Sequence, residues 1–196
     1  MIGRLTGKLL AKEPPLLWLD VNGVGYELEA PLSTFFSLPE AGAQLTLHTH
    51  LTVREDAHIL FAFGTPAEKA LFRELIKISG IGPKSALTVL SGIGVPDFWE
   101  TIRAEDTARL TRLPGIGKKT AERLVIELKD KAGKIASLIA AGGRTVPESA
   151  LQQAVSALVN LGYKPAEAER LCRAANEDGK PAEQVIRDAL KSAVRR

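Results

Sequence analysis

The sequence predicts an α+β chain of several small domains: a five-stranded barrel, an all-α segment built by duplication, a linker, and a compact three-helix bundle. Three observations predict it. Residues 1–64 alternate apolar and polar positions at strand period between turn formers, two Gly-Ile-Gly hairpins recur 35 positions apart, and a stretch of small residues precedes three short amphipathic segments. The expected boundaries are 1–64, 65–141, 142–149 and 150–196.

In the first segment the strands read as Ile2–Ala11, Leu16–Val21, Gly25–Ala30, Leu45–Val53 and Ala57–Phe63, parted by Glu13-Pro14-Pro15, by Asn22-Gly23 and by a Ser/Phe/Pro-containing stretch. A short helix at Leu32–Phe36, between the third and fourth strands, suits an OB-fold, the partly open five-stranded barrel often used on nucleic acids. Trp18, Tyr26, Phe61 and Phe63 sit at strand period and read as core, so base stacking on an aromatic face is not the leading mechanism.

The central segment carries Ser79-Gly80-Ile81-Gly82-Pro83-Lys84 and then Pro114-Gly115-Ile116-Gly117-Lys118-Lys119. Two glycines around one apolar residue let the backbone turn tightly and approach a ligand closely, since no Cβ intervenes. A helix is expected after each, whose free N–H groups and positive dipole end favour an anion. The flanks repeat as well: Leu75, Ile78, Ser85, Ala86 and Val89 are matched by Leu110, Leu113, Thr120, Ala121 and Leu124. A single Gly-Ile-Gly is equally well read as a helix end whose isoleucine packs into a core. Duplication favours tandem helix-hairpin-helix units that hold two phosphates without reading bases.

Charge follows the same division. Residues 1–64 hold four Lys and Arg against seven Asp and Glu, residues 65–142 hold thirteen against nine, and residues 143–196 hold nine against seven. The positive excess lies with the hairpins, the electrostatic footprint of a nucleic-acid binder. Gly117-Lys118-Lys119-Thr120 does not complete a nucleotide-binding P-loop, because a lysine occupies the Ser/Thr position and Thr107–Leu113 before it reads as helix rather than strand. Any ATP hydrolysis is therefore assigned to a partner. His48 and His50 share a strand face while His58 lies apart, too few ligands for a metal site, and no nucleophile–His–carboxylate set is spaced for catalysis. No catalytic residue, metal or cofactor is expected. One cysteine, Cys172, no signal-like N-terminus and no long apolar run point to a cytoplasmic protein without a membrane role.

Two features admit more than one reading. The turn Arg54-Glu55-Asp56 is either a solvated turn or a tip whose carboxylates repel phosphates. Beyond Ala140–Ser149, a flexible linker by composition, helices at Ala150–Leu161, Pro165–Asn176 and Ala182–Val194 give a UBA-like bundle. Its Leu158, Leu161, Tyr163 and Leu190 are either core or a docking surface. A nuclease or glycosylase with a duplex grip, and a general duplex-binding protein, remain rivals to a scaffold on residues alone.

Taken together, the opening Met1-Ile2-Gly3-Arg4-Leu5-Thr6-Gly7, Asn22-Gly23-Val24-Gly25-Tyr26, Val53-Arg54-Glu55-Asp56-Ala57, the ordered pair of hairpins and the terminal Leu161-Gly162-Tyr163 bundle resemble the RuvA family over nearly the whole chain. The resemblance implies a non-catalytic homotetramer, or a face-to-face octamer, that holds a four-way Holliday junction open and square-planar. It implies that Gly80, Ile81, Gly82, Lys84, Gly115, Ile116, Gly117, Lys118, Lys119 and Arg123 form the DNA grip, and that Glu55 and Asp56 form an acidic pin at the crossover. It further implies that the bundle docks the hexameric RuvB ATPase for branch migration and that the RuvC resolvase acts on the same scaffold.

Overall fold

The computed structural model describes residues 1–140, 149–176 and 180–194; apart from Ser149, the expected linker lies outside the described residues. Two compact units result, Met1–Ser137 and Leu138–Arg196.

The first unit opens with β1 (Arg4–Glu13), β2 (Leu16–Val21) and β3 (Val24–Glu29), then α1 (Leu32–Ser37), β4 (Gln44–Val53) and β5 (His58–Phe63). They close into a barrel of order β1-β2-β3-β5-β4, with β1 pairing back to β4 and only β3 and β5 parallel. This is the OB-type barrel the sequence predicts. β1 runs two residues past its expected end because Lys12 and Glu13 pair with Leu17 and Leu16, so the ladder outlasts the apolar pattern. At Gly7 the strands crowd: a Cβ there would stand 2.2 Å from the Asp20 carbonyl oxygen. Leu5, Leu9, Leu17, Leu19, Leu28, Leu47 and Leu60 fill the barrel, with Phe35 of α1 among them.

Strand β5 is buried on both faces. Leu60 and Ala62 belong to the barrel core, whereas Phe61 and Phe63, one pleat out of phase, enter the core of the helices that follow. There they meet Phe72 at ring-centroid distances of 5.0 and 4.9 Å. Trp18 and Tyr26 are half-buried, Tyr26 against the barrel core.

Those helices are α2 (Pro66–Leu75), α3 (Pro83–Gly92), α4 (Val95–Arg103), α5 (Thr107–Leu110) and α6 (Lys118–Ala140). α2 starts immediately after β5, and its first turn is fixed by a capping box in which Thr65 accepts from the Glu68 amide and the Glu68 carboxylate accepts from that of Thr65. Glu68 is buried, and its carboxylate also accepts from Ser33 Oγ at 2.5 Å and Thr34 Oγ1 at 3.3 Å, tying α1 to α2. The helix expected over Thr107–Leu113 ends at Leu110, three residues before Leu113, which Pro114 disfavours from helical geometry.

The second unit is a three-helix bundle, α7 (Ala150–Asn160), α8 (Pro165–Ala175) and α9 (Ala182–Val194). Ala154, Leu158, Ala168, Leu171, Cys172, Val185 and Ala189 form its core. Ser149 caps α7 reciprocally with Gln152. At the other end Gly162 takes φ +99°, and the amides of Gly162 and Tyr163 return to the carbonyls of Val159 and Leu158, a Schellman stop.

His50 projects from β4 onto Phe72, edge to face at 5.5 Å, and its Nδ1 is buried with no partner among the described residues. Burial first, then the nearby cations Arg73 and Lys69, hold its pKa below the ordinary value. The folded unit favours the neutral ring, so the contribution is full above about pH 6.5, the unfolded value. It is lost as pH falls through that value and the lower folded one. Urea unfolding followed by tryptophan fluorescence reads this unit alone, since Trp18 and Trp99 both lie in it. Between about pH 7.5 and about pH 5.5 the midpoint should fall further in the wild type than in His50→Gln.

Candidate nucleic-acid interface

The two Gly-Ile-Gly loops are copies down to their hydrogen bonds. In the first, the amides of Ile76, Lys77, Ile78, Ile81 and Ala86 donate to the carbonyls of Phe72, Glu74, Leu75, Ile78 and Gly82. In the second, those of Thr111, Arg112, Leu113, Ile116 and Ala121 donate to Thr107, Arg109, Leu110, Leu113 and Gly117. Each bond is displaced by the same 35 residues as the motif. Each preceding helix tightens into three-residue turns, reverses at the first glycine, and yields to a new helix at the second.

That reversal requires glycine. Gly80 has φ +93° and Gly115 φ +78°, the left-handed region that other L-residues enter at a cost of roughly 1–2 kcal/mol. No atom lies within 4 Å of where a Cβ would stand at Gly80, Gly82, Gly115 or Gly117, so these loops are bare to solvent. Their four amides have no acceptor among the described residues. Gly82 caps α3 without a side-chain bond, leaving the first-turn amides of that helix open too.

The isoleucines point inward: Ile81 and Ile116 are each 4% exposed and lie in one core with Phe72 and Leu124. They fix the loops from beneath. Lys84, Lys118 and Lys119 are exposed around the open amides. Arg123, on α6 behind the second loop, donates from Nη1 to the carbonyl of Ser79 in the first at 2.8 Å. One loop is thereby strapped to the other, a link that sequence periodicity does not reveal.

A third Gly-Ile-Gly, Gly92-Ile93-Gly94, has a different form. Gly92 is the last residue of α3 and packs on Leu113, where a Cβ would come within 2.9 Å of Cδ2. Ile93 is extended at φ −147°, so no tight reversal forms. The carboxylate of Asp97 lies 3.6 Å from a Cβ built on Gly94, in the first turn of α4. That acid already meets the electropositive helix end.

Glu55 and Asp56 stand at the tip of the β4–β5 turn, closed by the Arg54 amide donating to the Ala57 carbonyl at 2.8 Å. Both are exposed and neither forms an ion pair among the described residues. In the bundle, Leu158 is sealed in the core, Tyr163 and Leu190 are half-buried, and Leu161 is 63% exposed beside the Schellman turn. Among the described residues no three His, Cys, Asp or Glu side chains are grouped to hold a metal ion, and no helix is long and apolar enough to cross a membrane.

The fold and its strapped loops define a tandem helix-hairpin-helix protein carried on an OB-type barrel. Comparison with known proteins agrees segment by segment: residues 1–62 match the RuvA N terminal domain, 72–130 the SAM-like helix-hairpin-helix tandem, and 149–194 the RuvA C-terminal domain. The chain is 53% identical over 201 aligned positions to the Holliday junction branch migration complex subunit RuvA of Thioalkalivibrio sulfidiphilus, 100% of both chains being covered. It is 55% identical to the protein of the same name from Methylococcus capsulatus and 52% to that from Bordetella petrii, again over 100% of each chain. The chain belongs to the RuvA family.

Replacing Gly80 and Gly115 together by valine places two β-branched residues at positive φ and covers the open amides. Duplex binding in a filter-binding titration should be abolished, while tryptophan fluorescence retains its folded emission. Unchanged affinity would remove the loops from the interface.

Proposed function

We propose that this chain is the junction-holding subunit of a branch-migration complex, a scaffold with no active site of its own that works in the cytoplasm on four-way DNA during recombination and repair. The repeated hydrogen-bond pattern of the two loops carries this reading, because it supplies two like sets of unoccupied amides strapped at fixed spacing. Each set takes a backbone phosphate, with Lys84 at the first and Lys118 and Lys119 at the second neutralising charge. Ile81, Ile116 and Arg123 hold the grip in shape. Such contacts position DNA without reading bases, so affinity falls steeply with salt.

Four copies about a fourfold axis give one grip to each arm of an open, square-planar junction; a second tetramer on the opposite face makes an octamer. Glu55 and Asp56 then act as the acidic pin at the centre. Like charges at about 4 Å interact by roughly 1 kcal/mol even in water, and more near the protein surface, enough to bias phosphates away from the tip. The bundle is the docking module for the RuvB hexamer, with Leu161 as the exposed apolar contact, Tyr163 and Leu190 beside it, and Leu158 holding them in place from the core. ATP hydrolysis belongs to that motor, and RuvC resolves the junction on the same platform. The relatives, each a subunit of a Holliday junction branch migration complex, support the complex; the duplicated loops and the exposed acidic tip support the division of labour.

A competition titration at fixed salt, four-way junction against linear duplex of the same sequence, should show strong preference for the junction. Equal affinity would reduce the protein to a general duplex binder. Glu55→Gln with Asp56→Asn should leave junction affinity equal or tighter while changing the rate of motor-driven branch migration. Loss of folding would instead reassign the pair to structure.

Removing residues from Thr145 onward should preserve junction binding, since the first unit has its own cores, and abolish stimulation of the motor. Retained stimulation would refute the docking role of the bundle.

A further inference from the structure

Between the acidic tip and the first loop lies a cleft of about 230 Å³, bordered by Gly82 and Lys84 of the grip but reaching beyond them to β3, β4 and β5. Four elements and a turn wall it: Glu29 comes from the end of β3, Thr52 from the end of β4, Arg54 from the turn after it, Ile59 from β5, and Pro83, Lys84 and Ser85 from the start of α3. Ile59, Pro83 and the buried Phe61 make an apolar floor. Arg54 and Lys84 are exposed, and neither has an ion pair among the described residues.

This chemistry exceeds what a phosphate alone requires. Apolar area beside two cations and two hydroxyls matches the mixed surface of a nucleotide, base on one side and phosphate on the other. A cleft of this volume is of the size of a single nucleotide's base and sugar. Position agrees with chemistry. Arg54 directly precedes the acidic pair and Lys84 lies two residues past the first loop, so the cleft lies between the tip that repels phosphate and the loop that takes it.

Resting on the junction reading, we propose that the cleft receives one unpaired nucleotide of the strand that rounds the acidic tip, its base against Ile59 and Pro83 and its phosphate between Arg54 and Lys84. Glu29 is the carboxylate of the lining and can only accept when ionised, which favours a base with an exocyclic amino group over thymine. The cleft gives the displaced nucleotide a defined place at each step, so that separation at the tip and capture by the loop form one path.

The test uses the full chain and a four-way junction carrying 2-aminopurine at the crossover, saturated as judged by gel shift. The probe should brighten on binding, as an unstacked base does, while iodide quenching falls several-fold relative to the free junction. Thr52→Phe, an aromatic at a strand position that tolerates one, fills the mouth and should restore iodide access. In a measurement that needs no variant, 6-thioguanine at the same position should photocrosslink to Glu29, Thr52, Arg54, Ile59 or residues 83–85 and not to the tip residues Glu55 and Asp56. A shifted junction whose probe stays stacked or iodide-accessible, or whose crosslinks fall elsewhere, would overturn the cleft assignment and leave the junction reading standing. Failure of the junction to shift at all would overturn both.

Discussion

The packing of Phe61 and Phe63 against Phe72 is the contact on which the first unit depends. Each aromatic ring buries on the order of 150–250 Å² and the tilted pairs add to that burial. Their position matters more than their area. Because alternate residues of a strand face opposite ways, the same six residues that close the barrel with Leu60 and Ala62 also anchor the helices with Phe61 and Phe63. The acidic turn enters β5 at one end and the capped start of α2 leaves it at the other. Tip and first loop are therefore joined through one strand that is buried on both faces and the helix that follows it. The Glu68 carboxylate, costly to bury unless fully paired, secures the bend between them through Ser33, Thr34 and Thr65.

Around this frame the proposed grip is divided between backbone and side chain. Glycines expose amides, isoleucines hold them up from the core, and lysines add charge without setting the geometry. The contrast with residues 92–94 shows that the tripeptide itself is insufficient. Without positive φ at the first glycine, and with Asp97 in the first helical turn, the same letters make an ordinary helix junction. Local charge, rather than the small net charge of +3, distinguishes the loops from their surroundings.

Much of this was legible in the sequence because it is written in local rules. The strands follow period-two alternation, Asn22 and Gly23 take the positive φ values their turn demands, and repeated flanks announce repeated backbones. What escaped has non-local causes. Periodicity identifies Phe61 and Phe63 as facing a core but cannot say which core. Arg123 reads as one more cation on a basic helix until Ser79, 44 residues away, is seen to accept from it. Ile81 and Ile116 belong to the motif by spelling, yet their contribution is burial. The end of the helix at Leu110 reflects Pro114, a weaker signal than the apolar pattern that continues past it.

The bundle, finally, keeps a hydrophobic cluster of its own, with seven buried residues among those described and no described member in common with the other two clusters. Folding free energy is pooled only within a shared interior. So small an interior confers marginal stability, which a bound partner would raise by mass action. By that rule, heat, denaturant or a destabilising substitution acts on the bundle through an interior that it does not share with the cores of the barrel and the helices.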